Sequence, residues 1–540
     1  MAAPFQALLG VARRLDRLLG LAPSTPAPRP RQRGEGALMS WPGGLPTRGY
    51  EGASQSRRLS PWVPNRQHIN SILATEGPML RARTRQLIAN TPHGSNGSET
   101  FVSYATGTGI KPSPLIETPA YKKRISQAFL DWTDEADADG LTDFYGLQSM
   151  AARALFDAGE VFIRFRDRRP TDGLTVPLQL QLLEAEQLDA AYTSIAPNGN
   201  VIRSGIEFDA IGRRAAYWFW PNHPGDGTIL FNSMTRTRVP AEQVLHIFKP
   251  LRPGQIRGRP WLTAGMVKLY DMDQYNDAEM TRKKGAAMFM AFVVQELGED
   301  IGNTGLVNDD TEADGTGTAD VTLEPGLAHL LPKGHDIKFS EPADVGPNYE
   351  PFAYRNLLEL CASMGLPYFS VTGDTSKANY SSLRSALLDL KRRIEQFQWE
   401  TLIFQFCRPV YRRWLPTAVL SGAVVLPGFA INPKPYMRVK WITPKWDWVD
   451  PLKDVQAEKL MVDSGFKSRS EVIEALGDDP EDTDANIAAD HERERKLGLA
   501  FPVGFTKAPD APAGVDTGTP VGSDQNEGAP AGGNSAANAA

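Results

Sequence analysis

The sequence predicts an α+β fold spread over more than one domain. Three observations carry that reading. Period-two alternation is concentrated between residues 160 and 250, helical patterns flank this block on both sides, and a stretch at 286–345 rich in Gly and acidic residues separates two of the later helices. A chain of 540 residues exceeds one ordinary domain, and 41% hydrophobic with 23% charged residues supplies material for a large core. The net charge of −6 argues against a high-affinity nucleic-acid binder, which is usually basic. Cys361 and Cys407 fall within apolar helical patterns and predict reduced, buried thiols in a cytosolic protein.

The N-terminal PFQALLGVARRLDRLLGLA is broken by Arg13, Arg14, Asp16 and Arg17, which predicts a basic amphipathic docking helix or arm rather than a secretory signal. No apolar run reaches about 18 residues, so no membrane span is predicted. Residues 22–60 are rich in Pro, Gly, Arg and Ser and predict a flexible arm. From there the elements follow in order. Residues 66–90 read as helix with a break at Gly77–Pro78, and TFVSYATGTGIKP reads as an extended run. Helices are predicted at 120–132 and 143–158, the second closed by Gly159. Strands are predicted at 160–169, 178–189, 204–220 (folding over at Asp209–Gly212) and 243–250.

RGRPWLTAG then leads into a helix over 262–284, about 34 Å long at 1.5 Å per residue. Leu262, Met266, Leu269 and Met272 form a narrow apolar stripe on it. Asp271, Asp273, Asp277 and Glu279 precede Arg282, Lys283 and Lys284, so the cations sit at the negative end of the helix dipole. Within 286–345 the sequence predicts a strand in AAMFMAFVVQ, an acidic loop at 305–320 and a hairpin turning at Pro332–Gly334. A second helix, 350–364, carries Tyr354, Leu357, Leu358, Cys361 and Met364 on one face and stops at Gly365.

Residues 383–414 give the strongest helical signal, with Leu383, Leu387, Leu390, Ile394, Phe397, Leu402, Phe406 and Val410 near 3.6 spacing and a kink expected at Pro409. VKWITPKWDWVDP reads as extended. Asp450–Pro451 and Asp479–Pro480 each place a capping Asp before a first-turn Pro, and Ser470 is the predicted cap of the helix between them. The chain beyond about 505 reads as a disordered tail.

Catalytic chemistry is sparse. GDTSKANYSSLR (373–384) looks at first like a phosphate loop, but no glycine precedes Lys377 and a helix end, not a strand, comes before it. No dinucleotide fingerprint has strand–helix context, and the seven histidines form no H-E-x-x-H or H-x-H. Asp310, Glu312 and Asp314 open like a calcium loop, but Val321 stands where a bidentate Glu is required. Together these point to a structural or mechanical role, with no enzyme activity, metal or cofactor.

The order of motifs resembles the tailed-bacteriophage portal proteins of the lambda type. The resemblance rests on VPNRQHINSILATEGPMLRARTRQLIANTP, FVSYATGTGIKP, ALFDAGEVFIRFR, LLEAEQLD, VLHIFKPLRPGQIRGRPWL, LLELCASMGLPYFSVTGDTSKANYSSLRSALLD and WDWVDPLKDVQAEKLMVDSG, spread over about 64–500. It implies a wing–stem–clip–crown subunit that assembles into a ring of usually twelve copies around an axial channel for double-stranded DNA. The arm would be 1–60, the wing 61–258 and 383–450, the stem helices 259–285 and 346–365, and the clip 286–345. The tunnel loop would be 366–382, the crown 451–500 and the tail 501–540.

The resemblance also implies the partners: the terminase large subunit, head–tail connector proteins, and the major capsid or scaffold protein, with no membrane. The setting is the capsid vertex of the virion, after synthesis in the host cytoplasm. The roles are genome packaging, head–tail attachment and DNA ejection. Thr375, Ser376, Lys377, Asn379, Tyr380 and Ser381 would face the duplex. Few cations suit a sliding contact, because each neutralised phosphate adds counter-ion-release free energy. A different head-associated structural protein, such as a connector, and a packaging ATPase are the competing readings; the missing phosphate loop opposes the ATPase.

Overall fold

The computed structural model describes residues 57, 60–228, 235–288, 291–293, 328–330, 349–446 and 451–499. The acidic loop 305–320, the turn at Pro332–Gly334, the Asp450 cap, most of the 1–60 arm and the tail after 501 lie outside the described residues.

Helix α1 (Ile69–Asn90) runs through Pro78 without the break expected there. Pro78 removes one donor, but both it and Ala74, whose carbonyl loses that donor, are exposed, so the loss falls on the solvent side. The extended run expected over 100–112 is corrected in its first half: Pro92–Thr106 is helix α2, capped by Thr91, whose Oγ accepts the Gly94 N–H at 3.2 Å. Its glycines permit close packing rather than turns. A Cβ on Gly97 would stand 2.9 Å from Met364 Sδ, and one on Gly94 would stand 2.9 Å from the Leu87 carbonyl oxygen.

Strand β1 (Lys111–Pro114), helix α3 (Pro119–Thr133) and helix α4 (Phe144–Asp157) follow. Asp143 caps α4, and Gly159 leaves it at φ +85° as its sequence position predicts. Strand β2 (Glu160–Asp167) is the centre of a three-stranded antiparallel sheet between β3 (Leu178–Leu183) and β9 (Val244–Phe248). Beside it lies a five-stranded antiparallel meander of β4 (Ser194–Ile195), β5 (Val201–Arg203), β6 (Ile206–Phe208), β7 (Arg214–Phe219) and β8 (Thr237–Pro240).

Helix α5 (Met266–Met288) continues the RGRPWL segment, and α6 (Tyr349–Met364) returns along it. Between them the described residues hold a parallel pair of short strands, β10 (Ala291–Val293) and β11 (Ala328–Leu330). A five-residue helix α7 (Tyr368–Thr372) precedes α8 (Tyr380–Phe397). The single helix expected over 383–414 is three pieces: α8, a π-helical segment Gln398–Cys407, and α9 (Arg408–Leu420). The Arg408 N–H reaches back to Ile403, a five-residue step. The chain changes its winding ahead of Pro409, at whose position α9 is already in its first turn.

Strand β12 (Val439–Ile442) pairs antiparallel with β1. Helices α10 (Pro451–Asp463), α11 (Arg469–Ala475) and α12 (Pro480–Leu497) end the described chain. The α11 cap is Ser468, not Ser470: its Oγ accepts the Glu471 N–H while the Glu471 carboxylate takes the Ser468 N–H. Asp479 caps α12 as expected and also holds Lys122 at 3.0 Å.

The main core gathers Phe101, Trp132, Phe144, Phe156, Phe406 and Trp414 from α2, α3, α4, the π-helical segment and α9. A smaller cluster around Phe162, Ile206, Tyr217 and Phe219 lies between the two sheets. Burying side chains of this size contributes roughly 1.5–3 kcal/mol each relative to exposure. Cys361 and Cys407 are buried free thiols, and burial pushes the Cys361 thiol up to about 11.

Candidate nucleic-acid interface

The segment that launches α5 is held by a buried carboxylate. Glu160, fully buried at the start of β2, accepts Arg257 Nε at 2.8 Å and the Gly258 N–H at 2.7 Å, and lies 3.1 Å from His246 Nε2 and 3.6 Å from Arg81 Nη1. Burial alone would raise the Glu160 pKa, but the attraction of Arg257 and the hydrogen bonds from His246 and Arg257 outweigh it and hold the carboxyl well below its ordinary range. Burial pushes His246 down to about 4, against the pull of Glu160. Arg257 also donates to the Ser204 and Ala185 carbonyls at 3.3 and 3.2 Å, so one guanidinium ties the start of α5 to both sheets.

Helices α5 and α6 form an antiparallel pair. Lys268 is ion-paired with Glu359 near one end, while the Tyr349 hydroxyl donates to Asn276 Oδ1 at 2.9 Å further along. The predicted stripe is buried: Met266, Leu269 and Met272 of α5, and Leu262 in the turn before it, join the same core as Leu357, Leu360, Cys361 and Met364 of α6. Trp261 Nε1 donates to the Met364 carbonyl at 2.8 Å, joining the start of one helix to the end of the other.

Of the charges predicted on this helix, Asp271 and Asp277 are exposed and Asp273 is half-buried. Glu279 is held by Arg282 at 2.7 Å and lies 3.6 Å from Lys283, and the Arg282 hydrogen bond draws its pKa down. Lys283 lies 5.6 Å from the Tyr349 ring centroid, and Lys284 is exposed.

The loop after α6 starts at Gly365 (φ +73°), with the Leu366 N–H returning to the Cys361 carbonyl at 3.1 Å. Gly373 (φ +74°) ends α7. Asp374 then accepts the Ser376 N–H at 2.8 Å and the Tyr368 hydroxyl at 3.3 Å. Asn379 caps α8 by accepting the Ser382 N–H at 2.8 Å, and Ser381 Oγ donates to the same oxygen at 2.8 Å.

Thr375, Ser376, Lys377, Asn379, Tyr380 and Ser381 are all exposed, so the structure brings the six predicted residues together on one surface. Four of them are already engaged within the chain: Asn379 serves as the cap, Ser381 bonds to it, and Lys377 and Tyr380 have side-chain partners of their own. Lys377 is paired with Glu350 at 2.7 Å and lies over the Tyr354 ring at 4.3 Å; Glu350 raises its pKa. The Tyr380 hydroxyl accepts Arg384 at 3.3 Å, and Arg384 reaches Asp454 of α10 at 2.8 Å.

Sequence reasoning missed the Glu160 knot and the Glu350–Lys377 pair. The R-G-R-P run was legible, but not its partner nearly a hundred residues upstream.

Residues 55–398 match the family described as phage portal protein, lambda family. The chain belongs to that family. A probable portal protein of Halomonas phage phiHAP-1 is 28% identical over 92% of this chain and 94% of its own length. Portal protein B of Escherichia phage lambda is 19% identical over 84% of this chain and 91% of its own length. A chain from the neck of a native gene transfer agent particle overlaps 73% of this chain and 92% of its own, at 16% identity and a TM-score of 0.37. Membership of the lambda family places this chain among the structural proteins of the phage capsid vertex. Among the described residues no helix is long and apolar enough to cross a membrane.

Proposed function

We propose that copies of this chain close into a ring, twelve in the mature particle, and that the ring's axial channel passes double-stranded DNA during packaging and ejection. The α5–α6 pair would be the stem, 286–345 the clip, α8 to β12 part of the wing, α10–α12 the crown, and 366–382 the tunnel loop. Identical subunits in head-to-tail contact close when the rotation allows, and the exposed surface of α5, which mixes Val267, Tyr270 and Met280 with Asp271 and Asp277, suits lateral packing between neighbours.

The observation that carries the DNA reading is the loop itself. It exposes small hydroxyls and one lysine, and that lysine is already balanced by Glu350. A duplex can then slide past weak, sequence-blind contacts with little counter-ion release to hold it. The clip would meet the terminase large subunit and later the head–tail connector proteins, and the ring's periphery would meet the major capsid or scaffold protein. The role is mechanical rather than catalytic. Electron microscopy of the purified full-length chain tests the reading: rings with a central hole wide enough for a duplex support it, and a strictly monomeric protein overturns it.

A further inference from the structure

A cleft of about 270 Å³ opens between α9 and the start of β12. Its apolar side is Met437, Val439 and Trp441, and its charged lining is Arg408, Arg412 and Arg438, with no carboxylate. Arg408 and Arg412 lie one turn apart on the same face of α9, where like charges oppose each other. Arg438 is brought to them by the backbone. Its carbonyl accepts the Leu115 N–H at 2.8 Å, which extends the β1–β12 ladder by one rung.

Other cations close by in the chain have partners. Arg413, next along α9, holds Asp167 at 2.9 Å, and Lys440 is ion-paired with Glu474. The three arginines of the cleft differ. Among the described residues none of them forms an ion pair or a side-chain hydrogen bond, and Arg408 merely lies 6.0 Å from the Phe404 ring centroid.

Tyr411 lines the same cleft. It is 1% exposed, and its hydroxyl is buried with no hydrogen-bond partner. Burial pushes its pKa up, so the hydroxyl keeps its proton and is a donor without an acceptor. An unmade buried donor is unfavourable, and so are three guanidinium groups gathered without a counter-charge. One anion relieves both. Tyr411 also lines a second cleft, on whose walls stand Asp478, Asp479, Asp482 and Asp490. Those carboxylates repel an anion, which therefore belongs on the arginine side of the ring.

The donor set selects the anion's chemistry. A carboxylate brings one negative charge and two oxygens in a plane, and leaves the cleft strongly positive. A phosphate group brings up to two charges and oxygens directed tetrahedrally, so it can meet guanidinium forks from two elements and a hydroxyl at once. Met437, Val439 and Trp441 offer the rest of the ligand an apolar surface.

We infer that Arg408, Arg412 and Arg438, with the Tyr411 hydroxyl, form a phosphate-binding site, filled by a small phosphate ester or by a backbone phosphate of nucleic acid. The site is complete within one chain and stands whether or not copies close into a ring.

The test is isothermal titration calorimetry on the full-length chain, with inorganic phosphate as the probe and sodium chloride holding the ionic strength constant. Wild type should bind phosphate saturably; a wild type that does not overturns the inference. Arg412 and Arg438 are exposed, so Arg412→Ala and Arg438→Ala should fold, which circular dichroism checks. Each should weaken phosphate at least about tenfold, the scale of one charge-assisted hydrogen bond. Arginine variants that bind as wild type does place the phosphate elsewhere and overturn it. Tyr411→Phe keeps the packing and removes the donor, and should weaken phosphate about threefold or more. An affinity equal to wild type leaves that hydroxyl to a buried water and also overturns it. Acetate that binds there as tightly as phosphate assigns the cleft to a carboxylate instead. Competition reads the source. A short DNA duplex without terminal phosphates that displaces the phosphate identifies a backbone phosphate, and ribose 5-phosphate that alone displaces it identifies a small ester; either supports the site. Displacement by neither means an adventitious ion only, and overturns it.

Discussion

Gly159 and Gly258 pack backbone against backbone: a Cβ on Gly258 would stand 2.1 Å from the Gly159 carbonyl oxygen. The first glycine ends α4 and the second launches the segment that becomes α5, so this crossing sets where the helix pair leaves the sheets. Neither chain can retreat, because Glu160 accepts the Gly258 N–H at 2.7 Å on the same spot. Gly258→Ala forces the two segments apart and should destabilise the protein by about 1–3 kcal/mol, the usual range for overpacking. Thermal unfolding checks this; an unchanged melting temperature would mean the crossing relaxes freely.

Glu160 faces three cationic or cationisable groups in a buried site, and Glu160→Gln keeps the shape while removing the charge that balances Arg257 and Arg81. Breaking a buried pair from one side costs about 3–5 kcal/mol, because the surviving charge is stranded. Chemical denaturation should show a loss of that order. A loss no larger than that of a surface Glu→Gln control would mean that Glu160 does not hold the α5 approach in place.

Where the pattern was regular the sequence was readable. Leu262, Met266, Leu269 and Met272 repeat at helical spacing, and all four are buried in the main core. Helix α2 was not readable, because HGSNGSET is built of residues that ordinarily signal turns. There Gly94, Gly97 and Ser98 are small so that α2 can lie against α1 and Met364, a tertiary demand that no local pattern carries. The candidate loop was legible as an exposed, small-residue stretch. The balance of its lysine was not, since Glu350 lies 27 residues away and a turn of chain brings the two together. The cleft cations come from α9 and from the residue before β12, which sequence proximity does not join.

Acid should weaken the fold through His246. Its folded pKa is about 4 against an ordinary 6.5, so between those values the unfolded chain binds a proton that the native one refuses, and lowering the pH favours unfolding. Glu160, held below its ordinary 4.5, acts in the same sense at lower pH still. Stability should therefore be steady above pH 6.5 and decline from there toward 4. His246→Gln keeps a donor for Glu160 without titrating and should flatten that decline; melting temperatures across the range decide, and a mutant slope equal to wild type would exclude His246 as the source.

Lys377 offers a sharper view of the loop, because its partner can be removed instead. Glu350 is largely exposed, so Glu350→Gln should leave the melting temperature nearly unchanged while freeing the ammonium that sits over Tyr354. If the loop faces the channel, the freed lysine adds a phosphate contact in every copy that reaches the duplex. Assembled Glu350→Gln rings should then bind double-stranded DNA more tightly at low salt, with log K falling more steeply against log salt by up to about 0.9 for each added phosphate. Lys377→Ala should shift affinity the other way, and the double variant should resemble Lys377→Ala, since Glu350 acts only through the lysine. Rings of all three proteins that share one salt slope would place the loop away from DNA, leaving the Glu350–Lys377 pair as a tie between α6 and the loop.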